Sequence, residues 1–144
     1  MAVALKNGGD YADAESSARQ AVALDPGYGD AHELLGDILI KEQHPQDAAT
    51  EYVAAANITP GKAELWGGAA SAYGAAGQFD SAAEYADKAV AVDPTYEQGW
   101  VFKGNAAYAR HDLAGAKAAW AEALVLKPKD ATLVRYMAVL NGAK

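Results

Sequence analysis

The chain contains no cysteine, which excludes a disulfide framework and any thiolate zinc site, although it names no compartment. Positive charge is scarce: 12 Lys and Arg stand against 19 Asp and Glu, for a formal net charge of −7. Binding to a nucleic-acid backbone or an anionic membrane needs Lys and Arg gathered on one face, so neither partner is expected. No apolar run approaches the roughly 20 residues of a membrane span. The opening MAVALKNGGD lacks the basic and apolar regions of a signal peptide. A soluble chain without direct membrane insertion is expected, with cytoplasm and periplasm both left open. The three histidines, His32, His44 and His111, are far apart and form no HExxH, so no metal centre is expected. The four serines, Ser16, Ser17, Ser71 and Ser81, include no nucleophile elbow. Gly27, Gly29, Gly67 and Gly68 lack phosphate-loop spacing and read as turn or packing glycines. Carboxylate pairs such as Asp10/Asp13 and Glu33/Asp37 read as solvated helix faces rather than acid–base machinery. Neither a cofactor nor a catalytic residue is expected, and the chain is read as no enzyme.

What the chain has instead is alanine, at 36 of 144 positions, and alanine is the best helix former. It also has a refrain. AVALDPGYG at 21–29 returns as AVAVDPTYE at 89–97, and Pro26, Pro60, Pro94 and Pro128 follow one another at intervals of 34 residues. A fixed period of this size signals stacked helical hairpins, none of which buries its apolar face alone. Each of these prolines follows a helix, where the missing N–H and the restriction on the preceding residue stop propagation. The pattern predicts helices at about 2–7, 11–24, 30–42, 46–58, 63–76, 80–92, 97–110 and 113–126, and a last one near 130–141.

With proline at repeat position 32, the repeats resemble the tetratricopeptide repeat family. The second repeat carries Leu35, Gly36, Ala48, Tyr52, Ala55 and Pro60 at the expected places. The third carries Trp66, Ala70, Tyr73, Gly77, Phe79, Ala82, Ala89 and Pro94. The fourth has Trp100, Gly104, Ala107, Ala116, Trp120, Ala123 and Pro128, and the first keeps Gly9, Tyr11, Ala14, Ala18, Ala21 and Pro26. The physical logic stands beside the resemblance. Small residues at positions 8, 20 and 27 let two helices approach to the short end of roughly 8–10 Å, while large ones at 4, 11, 17 and 24 fill the space around the contact. His32 occupies the place of Trp66 and Trp100 and reads as a core or half-buried structural histidine.

The resemblance implies an all-α, right-handed superhelical solenoid of antiparallel hairpins. Residues 1–144 read as one domain: a partial repeat at 1–28, full repeats at 29–62, 63–96 and 97–130, and a terminal helix at 131–141. It also implies that first helices of successive hairpins line a concave groove for a peptide or a partner's helix. Carried over by position, the groove comprises Asp30, Glu33 and Asp37, then Glu64, Gly67 and Ser71, then Val101, Phe102, Asn105 and Tyr108, and finally Arg135 and Tyr136. Its character runs from acidic through small to aromatic. Some family members clamp a terminal carboxylate with Lys and Asn at positions 5 and 9; here only Asn105 matches, so that clamp is not expected.

These features lead to a non-catalytic protein-interaction module, a scaffold or adaptor whose protein or peptide partner offers a basic segment and an apolar anchor. The alanine content fits a bacterial source. A second reading is a self-assembling scaffold subunit, and a third is the substrate-recognition domain of an enzyme. For a homo-oligomer the candidate interface is the stripe Leu133, Met137 and Leu140, with Val134, Tyr136 and Ala138 covering the preceding hairpin. The array begins midway through a repeat, which reads either as an excerpt of a longer protein or as a natural chain with a frayed first helix. Gly67, Gly68 and Gly74 in one helix admit two explanations, close approach of a ligand backbone or tight helix packing.

Overall fold

The structure, a computed structural model, describes residues 11–142, so the helix expected at 2–7 lies outside the described residues. Eight helices follow: α1 (Tyr11–Leu24), α2 (Gly29–Lys41), α3 (Pro45–Ile58), α4 (Ala63–Ala75), α5 (Phe79–Val92), α6 (Glu97–Ala109), α7 (Leu113–Leu126) and α8 (Ala131–Leu140). No strand occurs among the described residues. Their ends fall within a residue or two of the pattern drawn from the prolines.

The period is written into the turns as well as the helices. Inside each hairpin the chain passes once through the left-handed region, at Gln43 (φ 62°), Gly77 (φ 77°) and His111 (φ 63°), three positions spaced by one repeat. Only Gly77 occupies it without the steric penalty of a Cβ. The next residue closes each loop: His44, Gln78 and Asp112 donate backbone N–H to the carbonyls of Leu39, Tyr73 and Ala107 at 2.8, 2.9 and 2.9 Å. This is the Schellman arrangement, which satisfies carbonyls at the helix end. Between hairpins, Tyr28, Lys62, Tyr96 and Asp130 each donate to the carbonyl three residues back, at 3.0–3.2 Å. The last two helices have side-chain caps: Asp112 accepts from the Gly115 N–H at 2.8 Å, and Asp130 from those of Thr132 and Leu133 at 3.0 and 3.1 Å.

Helices contact their neighbours in sequence, and α4 also touches α6 across one hairpin, the nearest-neighbour arrangement of a solenoid. The contact surfaces are built from alanine. Ala48, Ala55, Ala82, Ala89, Ala116 and Ala123, at repeat positions 20 and 27, are all 0–3% exposed. Side chains this small let the two helices of a hairpin approach closely. Bulk comes from Leu35, Ile38, Leu39, Trp66, Trp120 and Leu133, all buried.

Position 4 stitches one hairpin to the next. The indole N–H groups of Trp66 and Trp100 donate to the carbonyls of Pro60 and Pro94 at 2.9 and 2.8 Å. His32 does the same with a smaller ring: Nε2 lies 3.0 Å from the Pro26 carbonyl, and Nδ1 lies 2.7 Å from Glu51 Oε2. At 8% exposure it is the structural histidine that its repeat position predicts.

The expectation for the final helix is corrected. Leu133 is 2% exposed and joins Ala107, Ala116, Trp120 and Ala123 in one cluster, with Met137 and Leu140 packed against it. This stripe covers the last hairpin rather than facing outward. The residues left outside are Val134, Tyr136 and Val139, at 50%, 41% and 63% exposure.

Candidate binding groove

The first helices of the hairpins, α2, α4 and α6, together with α8, bring most of the anticipated groove residues onto one face. Three cavities run into one another along it. The first, of about 240 Å³, is lined by Glu33, Asp37 and Ile40 of α2, by Glu64, Gly68 and Ser71 of α4, and by Phe102, Tyr52 and Tyr96. The second, of about 270 Å³, shares Ser71 and Phe102 with it and is otherwise floored by small residues, Ala70, Gly74, Ala75, Ala82 and Ala106, beside Phe79 and Asn105. The third, of about 440 Å³, shares Asn105 and adds Tyr108, Trp120, Arg135, Tyr136, Val139 and Leu140.

Aromatic side chains from the second helices position the polar groups. Tyr52 of α3 donates its hydroxyl to Asp37 Oδ1 at 2.6 Å. One hairpin pair further on, Trp120 of α7 donates its indole N–H to Asn105 Oδ1 at 3.1 Å. These are the same two repeat positions, 9 and 24, separated by 68 residues. In the middle hairpin they hold Ser71 and Ala86, where the groove is floored by small residues.

At the acidic end, Lys62 Nζ lies 2.8 Å from Glu33 Oε2, with both side chains partly exposed. That hydrogen bond, with further attraction from Glu33, Asp30 and Glu64, raises the lysine pKa against the opposing effect of burial. The Tyr52 phenol is held well above its ordinary value, by burial first and then by its bond to Asp37. Tyr96 is raised as well, by burial and then by the charges of Glu64 and Glu97. Phenols of this kind stay neutral, so the carboxylates set the sign of the potential here. At the far end, Trp120 packs against both Tyr108 and Tyr136, with ring centroids 5.7 and 5.1 Å away. This makes an aromatic floor.

Three anticipated residues do not join the cavities. Asp30 stands exposed in the first turn of α2, and Val101 packs against the cluster between α7 and α8. Gly67 is buried beneath Tyr96: a Cβ there would meet the tyrosine Cε1 and Oη at 2.7 Å. Gly68 lies similarly under Tyr52, at 2.9 Å from Cδ1. The packing explanation therefore accounts for two of the three α4 glycines. Gly74 is different, because its added Cβ would find only the Ala82 Cβ, at 4.0 Å. Gly74→Ala is expected to raise stability by about 0.5–1 kcal/mol, the helix-propensity gain, whereas Gly67→Ala is expected to lower it. Thermal melts of the two single variants check this, and equal shifts would remove the distinction. The groove residues that come from outside the first helices are Tyr52, Phe79, Ala82, Tyr96 and Trp120, which the sequence assigns to close packing, filling or turns. The recurrence of an acceptor at position 9 with a large aromatic at position 24 is the signal that points to two of them.

Among the described residues, no group of three or more His, Cys, Asp or Glu is placed to hold a metal ion, and no helix is long and apolar enough to cross a membrane.

Comparison with known proteins follows the same lines. The heat-shock protein cognate co-chaperone sgt12 of Aspergillus fumigatus is 34% identical over 85 residues, 59% of this chain and 25% of that protein, so the chain spans a quarter of its length. The crystal structure of MamA superposes with a TM-score of 0.93 at 16% identity, covering 99% of this chain and 83% of that one. The first TPR domain of Spaghetti (RPAP3), bound to the HSP90 peptide SRMEEVD, superposes with a TM-score of 0.75 at 22% identity, covering 79% and 93%. The sequence model of the tetratricopeptide repeat matches residues 1–63 and 68–135, so the chain belongs to the tetratricopeptide repeat family.

Proposed function

We propose that this chain is a protein-interaction module that holds a peptide or a partner's segment in its concave groove, in a scaffold or adaptor role. The carrying observation is the run of three connected cavities whose lining passes from Glu33, Asp37 and Glu64 to an aromatic floor at Trp120. Carboxylates at one end favour a basic segment, and the aromatic end favours an apolar anchor. That the RPAP3 domain, of the same fold, is bound to a peptide supports this use of the architecture. Its ligand class does not transfer with it, because positions 5 and 9 here hold Glu33, Asp37, Gly67, Ser71 and Val101 beside the single match Asn105.

The test is a double charge reversal, Glu33→Lys with Glu64→Lys. It spares Asp37, whose loss would strand the Tyr52 hydroxyl. The Glu33–Lys62 pair it removes is partly exposed and contributes little to stability. A capped, arginine-containing peptide is expected to bind the variant about tenfold more weakly at low salt, and its affinity should lose most of its salt dependence between about 0.05 and 0.3 M. An unchanged affinity with an unchanged salt slope would take the acidic end out of the site.

A further inference from the structure

The far cavity differs in charge from the rest of the groove. Its lining includes a cation, Arg135, and no carboxylate. Of the three arginines, Arg19 and Arg110 are tied to Glu15 and Asp80, while Arg135 makes no ion pair with a described residue. The charge of the lining therefore changes sign along the groove, from Glu33, Asp37 and Glu64 at one end to Arg135 at the other. A ligand carrying only a basic segment and an apolar anchor leaves that guanidinium without a partner beside the aromatic floor.

Resting on the groove reading above, we propose that the occupant is an extended segment with an aromatic residue in the far cavity and an internal Asp or Glu two residues from it, paired with Arg135. Lys or Arg of the same segment then lies at the acidic end. The spacing follows from α8. Arg135 and Val139 share one helix face four residues apart, a rise of roughly 6 Å. An extended chain presents residues two apart on one side at roughly 6.6 Å, whereas a directly adjacent carboxylate points to the opposite side. Asn105, held by Trp120, offers its amide N–H groups at the junction of the second and third cavities.

The experiment measures fluorescence anisotropy with labelled peptides capped at both ends, carrying Arg-Arg at one end and Phe-Ser-Glu at the other, joined by Gly and Ser, and made in both chain orders. Companions carry Phe-Ser-Gln, capped or with a free terminal carboxylate. In the preferred order, wild-type protein is expected to bind the Glu peptide about tenfold more tightly than the capped Gln peptide. Arg135→Gln, a change at an exposed position, should close that gap while leaving the thermal melt in place. Equal binding of the two capped peptides, or a gap that persists in Arg135→Gln, overturns the proposal. If both still bind and weaken with Glu33→Lys and Glu64→Lys, the groove reading survives that failure. Tight binding only of the free-carboxylate peptide overturns the internal carboxylate in favour of a chain terminus. Absence of binding by every peptide overturns this proposal and the basic-segment reading together.

Discussion

Leu133→Glu is expected to detach the last helix from the solenoid while the earlier hairpins stay folded. Leu133 is 2% exposed and sits among Ala107, Ala116, Trp120 and Ala123. A glutamate there loses the buried leucine contacts and places a carboxylate without a described hydrogen-bond partner in an apolar cluster. The expected cost is about 3–5 kcal/mol. The loss stays local because the main contacts of α8 are with α7 alone, and solenoid stability adds up between neighbours. Hydrogen exchange followed by mass spectrometry should show residues Ala131–Leu140 losing protection, with α2 to α6 unchanged. Val139→Glu is the control, at 63% exposure, and should shift stability by no more than about 0.5 kcal/mol. Protection of α8 retained in Leu133→Glu would show that this face does not hold the helix down.

The inward face of α8 was legible in the sequence, but in the repeat register rather than in the helix itself. Taken alone, ATLVRYMAVL has one apolar stripe, Leu133–Met137–Leu140, and further apolar residues, Val134, Tyr136 and Val139, spread over its other faces, and helical periodicity does not say which side is covered. The 34-residue register places Leu133, Met137 and Leu140 on the positions of Leu65, Ala69 and Ala72, and of Ala31, Leu35 and Ile38. All six of those are buried. The same register located the helices, the prolines and the role of His32, because each is a property of one position repeated.

The groove was legible in its first-helix positions and obscure where a covering side chain comes from elsewhere. Glu33, Asp37, Glu64, Ser71, Phe102, Asn105, Tyr108, Arg135 and Tyr136 all line the connected cavities. Gly67 does not, because Tyr96 lies over it. Tyr96 occupies a turn position that holds tyrosine again at Tyr28 but Lys62 and Asp130 in the other two repeats, so the position alone does not announce that a ring will fold back onto α4. A contact made once depends on the path of one turn, and periodicity carries no information about it.

Gly104→Ala carries the second large expectation, and the sign of its effect is decided by one ring. In a free helix the change would stabilise by about 1 kcal/mol. Here the added methyl would fall on Cδ1 and Nε1 of the Trp120 indole, far inside van der Waals contact. The ring has little room to retreat: it is 3% exposed, bonded to Asn105 at 3.1 Å, and packed against Tyr108 and Tyr136. Moving it disturbs all three contacts, and overpacking of this kind costs about 1–3 kcal/mol or more. The equivalent site, Gly36, is milder, since its Cβ would meet the Tyr52 ring at 3.1–3.2 Å. Gly104→Ala is therefore expected to lower stability by about 2 kcal/mol net, a fall in melting temperature of roughly 4–8 °C for a chain of this size. Because Trp120 is also the floor of the far cavity, the same variant should weaken binding of a peptide with an aromatic anchor at temperatures where it remains folded. Gly74→Ala, measured alongside it, should move the melting temperature the other way. A Gly104→Ala protein as stable as the parent would mean that the indole yields freely, and the close contact between α6 and α7 at this position would then not be what requires glycine.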